Sequence, residues 1–409
     1  MNKFIGILLI MGVVHIPEIR LYWSNDPMYM NTLIKSIMPR DRFLAILRFW
    51  HFCDNNQARC EDRLHKISSI LHKINENFQK HVKPGKEVVI DESMVPWRGR
   101  LLFRQYIPGK RHKYGIKLYK LCLPEGYTYN MSVYSGKREY SSEKGHAHDI
   151  VMKLMNGLLY EGRILYTDSF YTSVPLAKEL LEKNTYLCGT VRSNRKHLPQ
   201  AAKIKQKNGE ILGLQNSGGI KFVKWTDKRP VLMLTTCKTH KCTLVDVSES
   251  VRKPDTVISY NAAKKGVDIS DQMSSYYTSL RKTIKWYRKI IIELICGTML
   301  INAWCIHKKL DNQKKLSILQ FRENIITALL AQPTIAATPT ASKKKEHFLK
   351  KYERATRVIQ KRCKECYNSI SKKDGREAAM KKTKKVVTYC PDCKNQPALC
   401  LECFKKIHN

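Results

Sequence analysis

The chain has 409 residues, with 74 Lys+Arg against 35 Asp+Glu, a formal charge of +39, and 43% apolar residues. That apolar share can build cores and excludes wholesale disorder, while 19 Gly and 15 Pro exclude collagen-like and low-complexity classes. The length suggests two or three domains, and the charge suggests a polyanionic partner, nucleic acid first.

Residues 4–14 (FIGILLIMGVV) have the length of a signal-peptide core, but no small-x-small cleavage site follows, so a buried helix is expected. Phe43, Ile46, Leu47 and Trp50 keep helical spacing, and 67–78 is amphipathic, which makes residues 1–84 a helical region. The texture then alternates. Residues 87–93 (EVVIDES) predict a strand, and GIKLYKLCL and YTYNMSVYS predict a hairpin around Pro124-Glu125-Gly126. Residues 148–159 predict a helix, 163–169 a strand, 174–184 a helix and 185–192 a strand. This order predicts a mixed α/β layer over 85–195. Residues 196–256 read as a small β-rich insertion, with KFVKWT and VLMLTTC flanking a turn, and 257–330 return to helix. Within them Ile290–Ile306 is nearly continuous in apolar residues but carries Glu293 and Asn302, too short and polar for a membrane span of roughly 20 residues. Residues 331–356 have a linker composition. Eight cysteines (Cys53, Cys60, Cys122, Cys188, Cys237, Cys242, Cys296 and Cys305) lack framework spacing, as free thiols of a reducing compartment would.

Acids are scarce, so their positions carry information. Asp91 and Asp168 each close a predicted buried strand, where α/β sheets place their sites. Asp268 and Asp271 stand at i, i+3 in VDISDQM, on one face if this stretch is helical. Such carboxylates, if they converge, suit Mg²⁺ or Mn²⁺, and a pair of such ions serves phosphodiester cleavage. Taken singly, each Asp reads more readily as a turn former or helix cap, and only the set points to catalysis. Arg98, Arg100 and Arg104 follow the first acid and are either phosphate contacts or a solvated face. Arg281, Lys282, Lys285, Trp286 and Arg288 combine cations with an aromatic beside the last acids, a pattern suited to a DNA backbone.

Several long segments (VVIDESMVPWRGR, YIPGKRHKYGIKLYKLC, ILYTDSFYTSVPLAKELL, VKWTDKRPVLMLTT and NAAKKGVDISDQM) resemble the PiggyBac transposases and the host proteins derived from them, in the same order across nearly the whole chain. The resemblance implies an α/β, RNase H-like catalytic core (85–195 and 257–330) interrupted by the insertion. Helical dimerisation and DNA-binding parts flank it, with Met1 falling inside the family's helical domain, so the first region is expected to be truncated at its start. It implies that Asp91, Asp168 and Asp268 hold the divalent metal, with Asp271 a further family aspartate in the catalytic set. The activity implied is metal-dependent nicking at transposon terminal inverted repeats, hairpin formation by the freed 3′-hydroxyl, and transfer into TTAA targets, by a homodimer in the nucleus and away from membranes. A second hypothesis is an immobile DNA-binding protein that keeps the acids without the activity.

The last six cysteines form Cys363-x2-Cys366, Cys390-x2-Cys393 and Cys400-x2-Cys403, followed by His408, a spacing suited to structural Zn²⁺. These seven ligands fall one short of two tetrahedral sites, and His347 is a further candidate. Residues 333–409 hold 20 Lys+Arg against 7 Asp+Glu, an excess of 13, so a zinc module at 357–409 should contact phosphate. It also resembles the cysteine-rich end domain of the same family. A RING-type ubiquitin ligase tail shares the spacing but accounts for neither the basic charge nor the upstream carboxylates.

Overall fold

A computed structural model describes the chain except for residues 55, 57–61, 110–111, 137–142, 249–250, 311–315, 332–346, 353–359, 394 and 409. Cys60 and most of the expected linker 331–356 lie outside the described residues. The chain divides into two units, residues 1–332 and 333–409.

The first unit opens with α1 (Asn2–Val13), α2 (Thr32–Ile37), α3 (Arg40–Phe49) and α4 (His65–His81). The apolar start is the expected core helix: Phe4, Ile7 and Met11 are fully buried. Next come β1 (Glu87–Pro96), β2 (Gln105–Tyr106), β3 (Tyr114–Cys122) and β4 (Thr128–Val133), with β3 and β4 the expected hairpin. Then follow α5 (His146–Leu154), β5 (Ile164–Thr167), α6 (Val174–Glu182) and β6 (Tyr186–Thr190). The β-rich segment supplies β7 (Ile211–Gln215), β8 (Lys221–Thr226), β9 (Pro230–Thr235), β10 (Leu244–Ser248) and β11 (Val251–Pro254). Its first three strands extend the main sheet. The order is β2-β3-β1-β5-β6-β9-β8-β7, with β4 also on β3.

Among the described residues of this sheet only the β1–β5 and β5–β6 steps are parallel; the other pairings are antiparallel. Strand alternation then sorts side chains to two faces. Val88, Ile90, Leu165 and Leu187 pack with Ile150 of α5 and Leu176 and Leu180 of α6. Val89, Ile164, Tyr166 and Cys188 pack instead with Val257, Tyr260 and Ala263 of α7 (Asp255–Ala263). Helix α8 (Gly266–Tyr276) runs on over β1 and β3.

A continuous helix, Trp286–Leu310, holds α9 (Trp286–Glu293) and α10 (Leu300–Leu310), joined through a π-helical stretch, Leu294–Met299. It is longer than the sequence pattern predicts and, by length and composition alone, could cross a membrane. Its Ile290, Ile291, Leu294 and Ile301 are nonetheless buried in the core of this unit, beside α11 (Ile318–Leu330).

The second unit pairs β12 (Lys350–Lys351) with β15 (Thr388–Tyr389) and β13 (Lys361–Arg362) with β14 (Lys385–Val386). Helix α12 (Lys364–Lys382), broken at Gly375, and α13 (Leu401–His408) complete it. Its buried centre is Cys363, Cys390 and Leu399, too small an apolar core to hold such a fold alone.

Candidate active site and metal centres

The β1–β5 register pairs Val89 with Tyr166 and Ile90 with Thr167, so one further step sets Asp91 beside Asp168. By alternation both carboxylates leave the sheet on the face that Val89 and Tyr166 share with α7. They line one small cleft with Tyr260 and Lys264. The Asp168 carboxyl sits above the ordinary carboxylate range: burial is the main cause, and the Glu92 carboxylate adds to it against the Phe170 and Tyr171 N–H groups and Arg192. Burial likewise lifts the Tyr260 hydroxyl to about 12, with both aspartates contributing.

The Asp168 turn is tied down locally. Its carboxylate accepts the Phe170 N–H at 2.9 Å, and its carbonyl accepts the Thr172 hydroxyl at 2.8 Å. The Thr172 and Thr167 hydroxyls also bond each other at 2.8 Å. Residue 189 of the adjacent strand must be glycine, since a Cβ there would stand 2.3 Å from Thr172 Oγ1 and 2.5 Å from the Thr167 carbonyl. Arg195 donates to the Ser169 and Phe170 carbonyls and braces the turn from outside, while Arg192 is exposed beside it.

The helix expected for VDISDQM is α8, which carries both remaining aspartates. Asp268 is exposed in its first turn, where the helix dipole favours a carboxylate. Asp271 is turned inward: its Oδ1 accepts Ser93 Oγ at 2.9 Å and Lys120 Nζ at 2.8 Å. The four aspartates are therefore not equivalent. Two adjoin at the strand ends, one is exposed on the covering helix, and one is held in an ion pair. Sequence reasoning passed over Glu92, whose carboxylate accepts the Tyr171 hydroxyl at 3.2 Å, although it directly follows Asp91. It also passed over Lys120, which alternation places among apolar neighbours in β3.

The basic groups also divide. Arg98, Arg100, Arg104, Lys282 and Lys285 are exposed, although Arg104 donates to the Arg98 carbonyl at 3.0 Å. Arg281 donates to the Met11 carbonyl and, at 2.9 Å, to the Tyr22 hydroxyl. Arg288 donates to the Trp50 carbonyl at 3.1 Å and to that of Arg48. Trp286 packs edge-on against Phe103. The two arginines fasten the helical start of the chain and Trp286 packs on the segment after β1, which leaves Lys282 and Lys285 as the exposed cations of that segment.

In the second unit the ligands separate into two sets of four: Cys363, Cys366, Cys400 and Cys403; and His347, Cys390, Cys393 and His408. All the donor atoms of a set lie within 4.8 Å of one another. Cys366 Sγ is 3.5 Å from Cys403 Sγ and 3.8 Å from Cys400 Sγ, close to the ~3.8 Å edge of a tetrahedron with 2.3 Å zinc–sulfur bonds. His347 Nδ1 lies 3.5 Å and His408 Nε2 3.3 Å from Cys393 Sγ. His347 thus stands where an eighth ligand could, and the two sets interleave along the chain.

Compared with known proteins, residues 1–304 match the family model described as Transposase IS4. The human (Homo sapiens) PiggyBac transposable element-derived protein 3 is 28% identical over 395 residues, which cover 90% of this chain and 66% of that protein. The human PiggyBac transposable element-derived protein 2 is 26% identical over 346 residues, covering 80% of this chain and 58% of its own length. The chain thus spans less than two thirds of these curated relatives. A cryo-EM structure of the piggyBac transposase synaptic complex with hairpin DNA is similar at a TM-score of 0.73 and 28% identity, over 81% of this chain and 73% of that one.

Proposed function

The chain belongs to the PiggyBac transposase family, and from that premise we propose a DNA transposase that nicks, forms hairpins at and transfers transposon ends into TTAA targets. The observation that carries this reading is the pairing of Asp91 with Asp168 on one face of two parallel strands, beneath the helix bearing Asp268. The parallel β1–β5–β6 centre flanked by the β3–β4 hairpin supports an RNase H-like core.

Asp91, Asp168 and Asp268 would hold Mg²⁺ or Mn²⁺, and the donor set suits it: hard carboxylate oxygens, one of them desolvated beside another carboxylate. When bound, such a cation supplies charge stabilisation for the attacking and leaving oxygens of a phosphodiester exchange. The chain's own part is to orient. The Thr167–Thr172 hydrogen bonds and the Arg195 brace hold Asp168 in place, and Arg192, Arg98 and Arg100 offer exposed guanidinium groups for phosphate. Zn²⁺ held by the two four-ligand sets would fold the second unit, whose excess of 13 positive charges suits it to terminal-repeat DNA. A homodimer acting in the nucleus completes this reading.

The test is nicking of DNA carrying the inverted repeats that flank the gene, with and without Mg²⁺, by wild type and Asp168→Asn. Metal-dependent cleavage lost in the variant supports the proposal. Equal cleavage by the variant would overturn the role of Asp168. A wild type that binds the repeats without cutting them would favour an inactive DNA-binding descendant.

A further inference from the structure

Lys120 is 1% exposed, opposite Asp91 in the β1–β3 register, and its ammonium points to the α8 side of the sheet. It donates to Asp271 Oδ1 at 2.8 Å, and Ser93 of β1 donates to that same carboxylate oxygen. Burial pulls the ammonium pKa down, and the Asp271 carboxylate together with Cys122 and Glu293 more than offsets it, so the net shift is upward. The other anchors of α8 lie on the same side of the helix. Gly266 sits against the Leu123 carbonyl, Ser270 Oγ is 3.2 Å from Thr128 Oγ1, and Ser274 donates to Glu293 at 2.6 Å. Asp268 precedes Asp271 by three residues, about 60° away around the helix. Small rotations of α8 therefore decide whether Asp268 faces the Asp91–Asp168 edge.

We propose that Lys120 is a positioning residue: its ion pair with Asp271 sets the rotation of α8 and so presents Asp268 to the paired aspartates. Asp271 holds the helix and does not hold the cation. This rests on the metal-site reading above and refines it. An apolar pair of similar volume often packs in place of a buried ion pair without loss of stability. What such a pair lacks is direction, because apolar contacts do not fix an angle as two hydrogen bonds to one oxygen do.

The experiment measures Mn²⁺ binding by electron paramagnetic resonance, and the melting temperature, on the full zinc-loaded chain. Lys120→Met should weaken Mn²⁺ binding at least about tenfold, the usual cost of removing a group that orients a ligand. Asp271→Asn, whose amide oxygen still accepts from Ser93 and Lys120, should stay within about threefold of wild type, well short of that cost. The double variant Lys120→Met/Asp271→Leu should recover the melting temperature while still binding Mn²⁺ at least about tenfold more weakly. It keeps the proposal testable if the single lysine variant does not fold. Wild-type affinity in the double variant would make the pair merely structural and overturn the proposal, as would an Asp271→Asn loss equal to that of Asp168→Asn. If Asp168→Asn itself bound Mn²⁺ like wild type, the metal site would fall, and this inference with it.

Discussion

Gly189→Ala perturbs the site through a residue that carries no chemistry. The new methyl group would stand 2.5 Å from the Thr167 carbonyl, 2.3 Å from Thr172 Oγ1 and 2.9 Å from Thr167 Oγ1. The backbone oxygen cannot rotate away, so strands β5 and β6 must part by at least about 0.5 Å, an overpacking that costs ~1–3 kcal/mol. Thr172 must also give up a hydrogen bond to Thr167 or Asp168, at ~0.5–1.5 kcal/mol. The sum is about 1.5–4.5 kcal/mol, which for a unit of this size lowers the melting temperature by roughly 5 °C. Because the same two threonines hold the Asp168 turn, metal-dependent nicking should fall further, by about 10²-fold for a displacement approaching 1 Å. The assays are thermal unfolding by circular dichroism and repeat-DNA nicking, with Gly85→Ala, whose Cβ meets nothing within 4 Å, as the control. A Gly189→Ala protein that melts and cuts like Gly85→Ala would refute the reasoning.

Three further outcomes follow from the same geometry. The Asp168 carboxyl is raised by burial, so its contribution to stability is full below the ordinary carboxylate value of ~3.9 and is lost as pH rises through the folded-state value. Metal-free Asp168→Asn should accordingly melt higher than wild type at pH 7, with the gap closing toward pH ~4, and Mn²⁺ should stabilise wild type alone. A variant less stable than wild type at pH 7 would count against this account. His347→Ala should lower the zinc content by elemental analysis from two ions per chain to one, since it opens only the His347–Cys390–Cys393–His408 set; two ions retained would remove His347 from the ligands. Lys282→Ala/Lys285→Ala should weaken DNA binding and reduce the salt slope by about 2, whereas Arg281→Ala should lower stability and leave the slope unchanged. A reduced slope in Arg281→Ala would show that its guanidinium reaches phosphate after all.

Much of the architecture was legible in the sequence because it rests on local patterns. The short apolar runs in EVVIDES and ILYT marked β1 and β5, Pro124-Glu125-Gly126 marked the β3–β4 hairpin, and apolar density marked the N-terminal helix as core. The paired Cys-x2-Cys spacings marked the cysteines that the second unit gathers into sets able to hold a metal. Long motifs also carried the family. Each of these signals lies within a few residues of chain, where the period of a strand or helix, or the reach of one knuckle, determines the outcome.

What only the tertiary structure decided are relations between distant segments. Residues 196–256 read as a β-rich insertion, and only the structure shows that their strand β9 pairs onto β6, because hydrogen bonding across a sheet edge leaves no mark in either strand alone. His347 completes a four-ligand set with residues far along the chain, and Arg281 and Arg288, chosen as DNA contacts for their charge, donate to carbonyls of the first helices. The sequence could name four aspartates. Register placed Asp91 beside Asp168, and Lys120, buried where the pattern of β3 suggested only packing, separated Asp271 from the others. Charge and donor count are properties of a residue, but the partner that uses them is set by which strand lies next and which helix lies above.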